Sequence, residues 1–164
     1  MNREELNELY GRAKETMQRA YNPYSKYNVG FAILTETGKY YAGCNVENAA
    51  YGRTICSEAN AVSTMVAAEG AVRITQGLLI ASGSTFPSPC GSCRQIIAEF
   101  SIPETKVHLV RQKESSDGFD LRTYTMSTLL PLSFTQQILW EKGAKEETST
   151  PLETKRKKVK TTSV

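Results

Sequence analysis

Three cysteines on two short segments constrain this chain more than any other feature of its sequence. Cys56 stands on the first segment, and Cys90 and Cys93 stand on the second with two residues between them. Zinc that takes part in chemistry is held by three protein ligands and keeps a fourth position open. Glu58, two residues after Cys56, is then free to move protons. The pattern predicts a catalytic zinc centre held by Cys56, Cys90 and Cys93, with Glu58 as the acid–base group.

The local sequence places both cysteine segments at the starts of helices. Side chains at positions i and i+2 of a helix point apart, so Cys56 and Glu58 converge only if the metal lies off the helix N-terminus. Pro89 suits a first helical turn, and the i, i+3 spacing of Cys90 and Cys93 puts them on one face of that turn. Two helix N-termini would then face one ion, and their partial positive charge favours thiolates.

Size and charge limit the classes of protein that fit. The chain has 164 residues and 40% hydrophobic composition, which allows one domain with one core. No apolar run is long enough to span a membrane, and residues 1–5 lack the apolar part of a signal peptide. We therefore expect a cytoplasmic protein with reduced cysteines and no membrane partner. The net charge of +3 arises in residues 141–164, with 7 Lys+Arg against 4 Asp+Glu, so we do not expect the neutral body to bind nucleic acid.

Hydrophobic periodicity predicts helices that alternate with strands, which indicates an α/β layered sheet. Helical patterns cover 3–21, 56–70 and the residues after Cys90, and strand patterns cover 28–35, 39–46, 78–81, 106–110 and 121–125. Alternation in the second strand puts Asn45 and Glu47 on one face, where paired polar side chains are able to bind a diol. A solvated polar strand end is the alternative interpretation.

The composition changes after Trp140. Residues 141–164 are rich in Lys, Glu, Thr and Ser, and they contain too few apolar residues to form a core. We predict a domain over 1–140 and a disordered charged tail over 141–164. The basic run from Lys155 to Lys158 resembles a weak nuclear localisation signal, but such runs are more often solvated surface charge without a specific role.

Four segments resemble the small homotetrameric cytidine deaminases from the start of the chain to about Trp140. They are NPYSKY at 22–27, GCNVENAAY at 43–51, SPCGSCRQ at 88–95, and LLP at 129–131 followed by Phe134. The resemblance implies a three-layer α/β/α fold around a mixed five-stranded sheet and one Zn²⁺ per subunit. It also implies hydrolytic deamination of cytidine and deoxycytidine in pyrimidine salvage, with zinc-bound hydroxide as nucleophile and Glu58 as proton shuttle.

The same resemblance implies where the nucleoside would bind. Asn45 and Glu47 match residues that bind the ribose hydroxyls, and Phe134 matches an aromatic that a neighbouring subunit contributes to a shared active site. The other implied positions are Tyr27 in the base pocket, the Ser88 carbonyl and the backbone near Ile55 at the base edge, and Ala49 and Tyr51 in the adjoining loop. Packing in a core is the alternative role for the single aromatic residues.

One departure from the family pattern leaves the substrate open. Many of these deaminases have arginine directly after the catalytic glutamate, whereas this chain has Ala59. Arg94 and Arg53 are the candidates to supply the missing positive charge. A modified cytosine nucleoside such as blasticidin S is an alternative substrate, because blasticidin-S deaminase also lacks that arginine.

Two other functions are compatible with three cysteines, and Cys44 and His108 have no place in the predicted ligand set. A polynucleotide cytosine deaminase commonly has histidine where Cys56 stands and needs a basic surface. A non-enzymatic zinc protein would close the site with a fourth ligand such as Cys44. We otherwise interpret Cys44 as a small buried hydrophobic residue. His108, the only histidine, is interpreted as structural because the ligand set is complete without it.

Overall fold

The computed structural model of the chain describes residues 2–113 and 118–135. The helices and strands in chain order are α1 (Arg3–Gln18), β1 (Val29–Thr35), β2 (Tyr40–Cys44), a 3₁₀ turn (Tyr51–Arg53), α2 (Ser57–Glu69), β3 (Ile74–Ala81), α3 (Gly91–Glu99), β4 (Lys106–Gln112), β5 (Phe119–Thr125) and α4 (Met126–Leu129). None of the helices in this part of the chain has the length and apolar character that crossing a membrane requires. The predicted tail, 141–164, and the predicted domain end at 140 lie outside the described residues.

The five strands form one mixed sheet in the order β2-β1-β3-β4-β5. The β3–β4 pair is parallel, and the β2–β1, β1–β3 and β4–β5 pairs are antiparallel. Helix α3 lies in the connection between the two parallel strands, as parallel pairing requires a crossover. The α/β layered sheet predicted from the sequence pattern is confirmed, and so is the mixed five-stranded sheet that the family resemblance implied.

Helices cover both faces of the sheet and bury its apolar side chains. One face packs against α1 through Leu6, Leu9, Ala13 and Met17, and the other packs against α2 and α3 through Ala61, Val62, Met65 and Ile97. Each fully buried Leu, Ile or Phe side chain contributes about 1.5–3 kcal/mol relative to exposure. The predicted α/β/α layering is therefore present, and the apolar stripes on the helices explain it.

Several predicted details differ from the structure. The second strand ends at Cys44 rather than at Val46, and Cys44 is half-buried rather than fully buried. Pro89 does not stand in a first helical turn, because α3 begins at Gly91 and Cys90 is its N-cap. Cys90 has the extended backbone of a cap, with φ −67° and ψ 169°. Proline therefore precedes the cap residue instead of occupying the first helical position.

The buried His108 joins strands on the face that α1 covers. Its Nδ1 lies 2.9 Å from Thr123 Oγ1 and its Nε2 lies 3.1 Å from Gln76 Oε1. An amide oxygen only accepts, so the ring carries its proton on Nε2 and accepts the Thr123 hydroxyl at Nδ1. Gln76 Nε2 in turn donates to Glu5 Oε2 of α1 at 2.8 Å. Burial lowers the pKa of His108 to about 4, so the ring is a neutral link between strands and helix.

Gly43 allows α2 to pack directly on β2. A Cβ at Gly43 would lie 2.7 Å from the Ser57 carbonyl oxygen and closer still to the Ala61 backbone nitrogen. Real Cβ atoms do not approach backbone atoms so closely. The absence of a side chain at Gly43 therefore brings the start of α2, with Cys56 and Glu58, against the end of the sheet.

We predict that Gly43→Ala weakens metal binding and lowers the free energy of unfolding by about 1–3 kcal/mol, the range for overpacking a close contact. The added methyl group would push α2 away from β2. Zinc content after purification and the denaturant midpoint measure the two effects. Gly52→Ala is the control, because a Cβ at Gly52 meets nothing within 4 Å. Equal zinc content and midpoints in the two variants would refute this account of the contact.

Candidate metal and active site

The sulfur atoms of Cys56, Cys90 and Cys93 lie within 4.8 Å of one another. Cys56 is the N-cap of α2, Cys90 is the N-cap of α3, and Cys93 lies in the first turn of α3. Sulfurs that bind one zinc ion at about 2.3 Å in tetrahedral geometry are about 3.8 Å apart. The three side chains thus have the chemistry and the spacing of a zinc ligand set, at two helix starts as predicted.

The thiols interact strongly with one another. A hydrogen bond from the Cys93 thiol lowers the pKa of Cys56 to about 7, although partial burial and the Glu58 carboxylate act in the opposite direction. The same hydrogen bond, together with burial, raises the pKa of Cys93. One thiol therefore ionises at the expense of its neighbour, and a divalent cation is needed to hold all three as thiolates.

Glu58 lies beside the sulfurs in the first turn of α2. Its side chain is buried, with 4% of the residue exposed. The Ser57 hydroxyl, which is fully buried, lies 2.9 Å from Glu58 Oε2 and donates to it. In the described part of the chain no hydrogen bond reaches Oε1, so this oxygen is available to a bound molecule. A buried carboxylate beside a metal ligand set is the arrangement that general acid–base catalysis needs.

A cavity of about 280 Å³ opens in front of the sulfurs and Glu58. It is lined by Ser25, Tyr27, Val29, Asn45, Glu47, Thr54, Cys56, Ser57, Glu58, Leu79, Pro87, Ser88, Cys90 and Cys93. The lining includes two carboxylates, Glu47 and Glu58, but no lysine, arginine or histidine. Its volume is near the lower end of the range for small-molecule sites. The cavity therefore suits a small ligand without negative charge.

Asn45 uses both ends of its amide to hold the cavity wall. Its Oδ1 accepts from the Val29 amide at 2.9 Å, and its Nδ2 donates to the Tyr27 carbonyl at 2.9 Å. One amide hydrogen and one lone pair remain for a ligand. The sequence pattern did not reveal this structural role, because it depends on contacts between distant segments.

Glu47 holds the neighbouring part of the wall in the same way. Its Oε2 accepts from the backbone amides of Tyr24 at 2.9 Å and Ser25 at 3.2 Å. A hydrogen bond from the Ser25 side chain, and these amides, keep the pKa of Glu47 below its usual range. Glu47 is therefore ionised at neutral pH. Asn45 and Glu47 meet at the cavity although β2 ends before them, since Val46 continues extended pairing as isolated bridges with Tyr21 and Ile55.

The other predicted substrate residues fall into two groups. Tyr27 and Ser88 line the cavity, whereas Ala49, Tyr51, Ile55 and Phe134 do not. The last three are exposed by 76%, 48% and 55%, respectively. The sequence interpretation missed six lining residues: Ser25, Val29, Thr54, Ser57, Leu79 and Pro87. For Thr54, Ser57 and Pro87, closeness to the cysteines in sequence was the available signal.

Neither candidate arginine lies among the groups that line the cavity. The Arg94 guanidinium binds Pro89, Leu129 and Ser88 instead of a sulfur atom. Arg53 is exposed at the end of the 3₁₀ turn. Cys44 is not part of the three-sulfur group, and its carbonyl accepts a hydrogen bond from Asn60 Nδ2 at 3.0 Å.

We predict that Cys93→Ser loses bound zinc and that Cys44→Ser keeps it. A serine hydroxyl does not replace a thiolate as a zinc ligand, so the zinc content of Cys93→Ser should fall to less than about a tenth of the wild-type value. Elemental analysis of the purified proteins measures the content. If Cys44→Ser lost as much metal as Cys93→Ser, the site would have four sulfur ligands and no open position.

Comparison with known proteins agrees with this geometry. The family described as the cytidine and deoxycytidylate deaminase zinc-binding region matches residues 3–109. The cytidine deaminase of Sporosarcina psychrophila is 38% identical over 136 residues, which are 82% of this chain and 95% of that protein. The probable cytidine deaminase of Dictyostelium discoideum is 38% identical over 149 residues, or 90% of this chain and 95% of that protein.

Solved structures give the same result. The cytidine deaminase of Burkholderia pseudomallei superimposes with a TM-score of 0.70 at 34% identity, over 82% of this chain and all of that one. The cytidine deaminase of Mycobacterium tuberculosis superimposes with a TM-score of 0.66 at 32% identity, over 79% of this chain and 96% of that one. The sulfur cluster with its adjacent carboxylate lies inside the matched region, and the chain belongs to the cytidine deaminase family.

Proposed function

We propose that this protein is an enzyme that hydrolyses cytidine and deoxycytidine to uridine and deoxyuridine with release of ammonia. The observation that carries the proposal is the buried Glu58 beside three clustered cysteine sulfurs at a small cavity. A structural zinc site has no use for such a carboxylate. The family and the relatives named cytidine deaminase support the same conclusion.

Cys56, Cys90 and Cys93 would hold one Zn²⁺ per chain. When bound, the ion supplies a water molecule that is activated at neutral pH. The donor set fits this group, because three sulfurs leave one coordination position for water. Helix starts at Cys56 and Cys90 favour the negative charge of the ligands.

Glu58 would carry the protons of the reaction. Water adds to C4 of the cytosine ring, the C4–N4 bond breaks, and a carbonyl remains at C4 as ammonia leaves. Glu58 takes a proton from the attacking water and delivers it to N3, and a proton then reaches the departing amino group through the same carboxylate. The Ser57 hydroxyl holds Oε2 in place, which leaves Oε1 for these transfers.

The remaining cavity residues suit a neutral nucleoside. Asn45 and Glu47 would bind the ribose hydroxyls with the atoms that their backbone contacts leave free. Tyr27 and Ser88 would contact the base. The cavity lining contains two carboxylates and no cationic side chain, which disfavours a 5′-phosphate and a polynucleotide strand. A neutral nucleoside substrate fits a role in cytoplasmic pyrimidine salvage.

The substrate proposal predicts ammonia release from cytidine and deoxycytidine and much weaker activity on cytidine 5′-monophosphate. Like charges separated by several ångströms at an effective dielectric constant of ~20 repel by about 2 kcal/mol, or about 30-fold in kcat/KM. The same assay is run with blasticidin S and with a cytosine-containing oligonucleotide. Preference for either of these over cytidine would replace the proposed substrate, and inactivity on all of them would refute deamination.

Glu58→Gln is the control for this experiment. Glutamine has the shape of glutamate but does not shuttle protons, so kcat on cytidine should fall by about 10²–10⁴-fold while zinc content stays unchanged. A zinc-loaded Glu58→Gln variant with normal turnover would show that another group carries the protons.

We also propose a homotetramer in which neighbouring subunits complete each active site. The support is a group of exposed apolar side chains near the cavity and in the segment after α4: Tyr21, Tyr24, Val46, Tyr51, Ile55, Leu132 and Phe134. Gln95 Nε2 donates to the Phe134 carbonyl at 2.8 Å and fixes the backbone there. Exposed apolar area of this kind marks interaction surfaces.

The assembly proposal predicts a particle of four chains by light scattering. It also predicts that Phe134→Ala lowers kcat/KM for cytidine by about 10-fold without dissociating the particle, because one aromatic contact to substrate is lost. Ile102→Ala serves as the matched truncation, because Ile102 is also exposed but lies outside this group of residues. A monomer with full activity would contradict the proposal.

A further inference from the structure

The guanidinium of Arg94 joins three separate groups of the protein. Its Nε donates to the Pro89 carbonyl at 2.9 Å, its Nη1 donates to the Leu129 carbonyl at 3.0 Å, and its Nη2 donates to Ser88 Oγ at 3.0 Å. The side chain is partly buried. All three nitrogens of the guanidinium are therefore committed to neutral oxygen acceptors.

One of these acceptors lies in the wall of the active-site cavity, and a second is next to it in the chain. Ser88 lines the cavity, and Pro89 directly precedes the metal-ligand candidate Cys90. The third acceptor, Leu129, is the last residue of α4, and its side chain is buried in the core that α2 and α3 cover. Arg94 thus connects a cavity wall to a fixed point of the core.

The wall segment at 83–89 has no backbone anchor among the described residues. It contains no helix or strand, and no backbone–backbone hydrogen bond links it to another residue of the described ranges. Pro87 and Pro89 have no N–H to donate. The Phe86 ring packs against the core and against the guanidinium groups of Arg111 at 4.9 Å and Arg122 at 4.2 Å, and Pro87 and Pro89 are buried. Side chains rather than backbone ladders hold this wall.

We propose that Arg94 is a positioning residue that fixes Ser88 and Pro89 for substrate binding, and not a partner that neutralises the thiolates. The inference rests on the proposed cytidine deaminase function. A guanidinium reaches three acceptors because its donors lie in a rigid planar fork, whereas lysine offers one compact ammonium group. A positive charge alone would not reproduce these three hydrogen bonds, whereas a side chain with the same planar arrangement of donors would.

Arg94→Lys and Arg94→Gln separate charge from geometry. Both variants should lower kcat/KM for cytidine to a similar degree, by about 10- to 100-fold, as expected for a displaced substrate contact. The loss should fall mainly on KM, and zinc content should match the wild type. Arg19→Lys and Arg19→Gln are the matched controls, since Arg19 is an exposed residue of the α1 C-cap that pairs with Glu15.

Chemical rescue gives a second measurement, because restored activity would show that the Arg94→Ala variant is correctly folded. Millimolar guanidinium should restore kcat/KM of Arg94→Ala at least about threefold, and the same concentration of ammonium should not, because only guanidinium has the planar fork. If Arg94→Lys kept the wild-type kcat/KM for cytidine while Arg94→Gln lost it, the proposal would be overturned in favour of charge compensation. Loss of zinc in every Arg94 variant would also overturn it, because Arg94 would then support the metal.

The outcomes distinguish this inference from the function on which it rests. Wild-type protein that does not act on cytidine would refute the proposed function. Wild-type protein that deaminates cytidine, with Arg94→Lys and Arg94→Gln equally active, would refute only the role of Arg94.

Discussion

Mutual repulsion among three sulfur ligands is the constraint on which the rest of the site depends. Sulfurs within 4.8 Å of one another cannot all be thiolates without a compensating positive charge. The fold answers part of this need by placing Cys56 and Cys90 at the caps of α2 and α3. That placement requires α2 to touch the end of β2, and the missing side chain of Gly43 permits the contact. Backbone packing at one glycine thus brings Cys56 and Glu58, at the start of α2, to the end of the sheet.

The walls of the cavity are held by polar side chains, of which Asn45 and Glu47 also face the ligand space. Asn45 and Glu47 bind the backbone of residues 24–29, and Arg94 binds the segment at 88–89. The two walls are joined by a reciprocal pair, in which the Asn28 amide donates to Ser82 Oγ and the Ser82 amide donates to the Asn28 carbonyl. Since the same polar groups would bind substrate and maintain the wall, a change at Asn45 would alter both binding and structure.

The parts that the sequence predicted well are those with local causes. The helices after Cys56 and Cys90 and the individual strands follow from residue spacing within single segments, and the structure contains them. The mixed five-stranded sheet was implied by the family resemblance, and the three-cysteine group by two cysteine segments that are distant in the chain. The parts that it missed depend on contacts between distant residues. Arg94 meets Leu129 across 35 positions, and Asn45 meets Tyr27 across 18. No periodic pattern encodes such contacts. The predicted position of Pro89 in a first helical turn was wrong because Cys90, the next residue, is the N-cap of α3.

The charge balance of the cavity explains why the substrate should be neutral. The cavity lining contains Glu47, Glu58 and three cysteine sulfurs, and it contains no cationic side chain. Even with a divalent metal, three thiolates and two carboxylates leave the site negative. An anionic substrate would meet repulsion that the partial charges of two helix starts do not offset. A neutral pyrimidine nucleoside avoids this cost, and its ring and sugar hydroxyls supply the hydrogen-bonding groups that the remaining atoms of Asn45, Glu47 and Glu58 require.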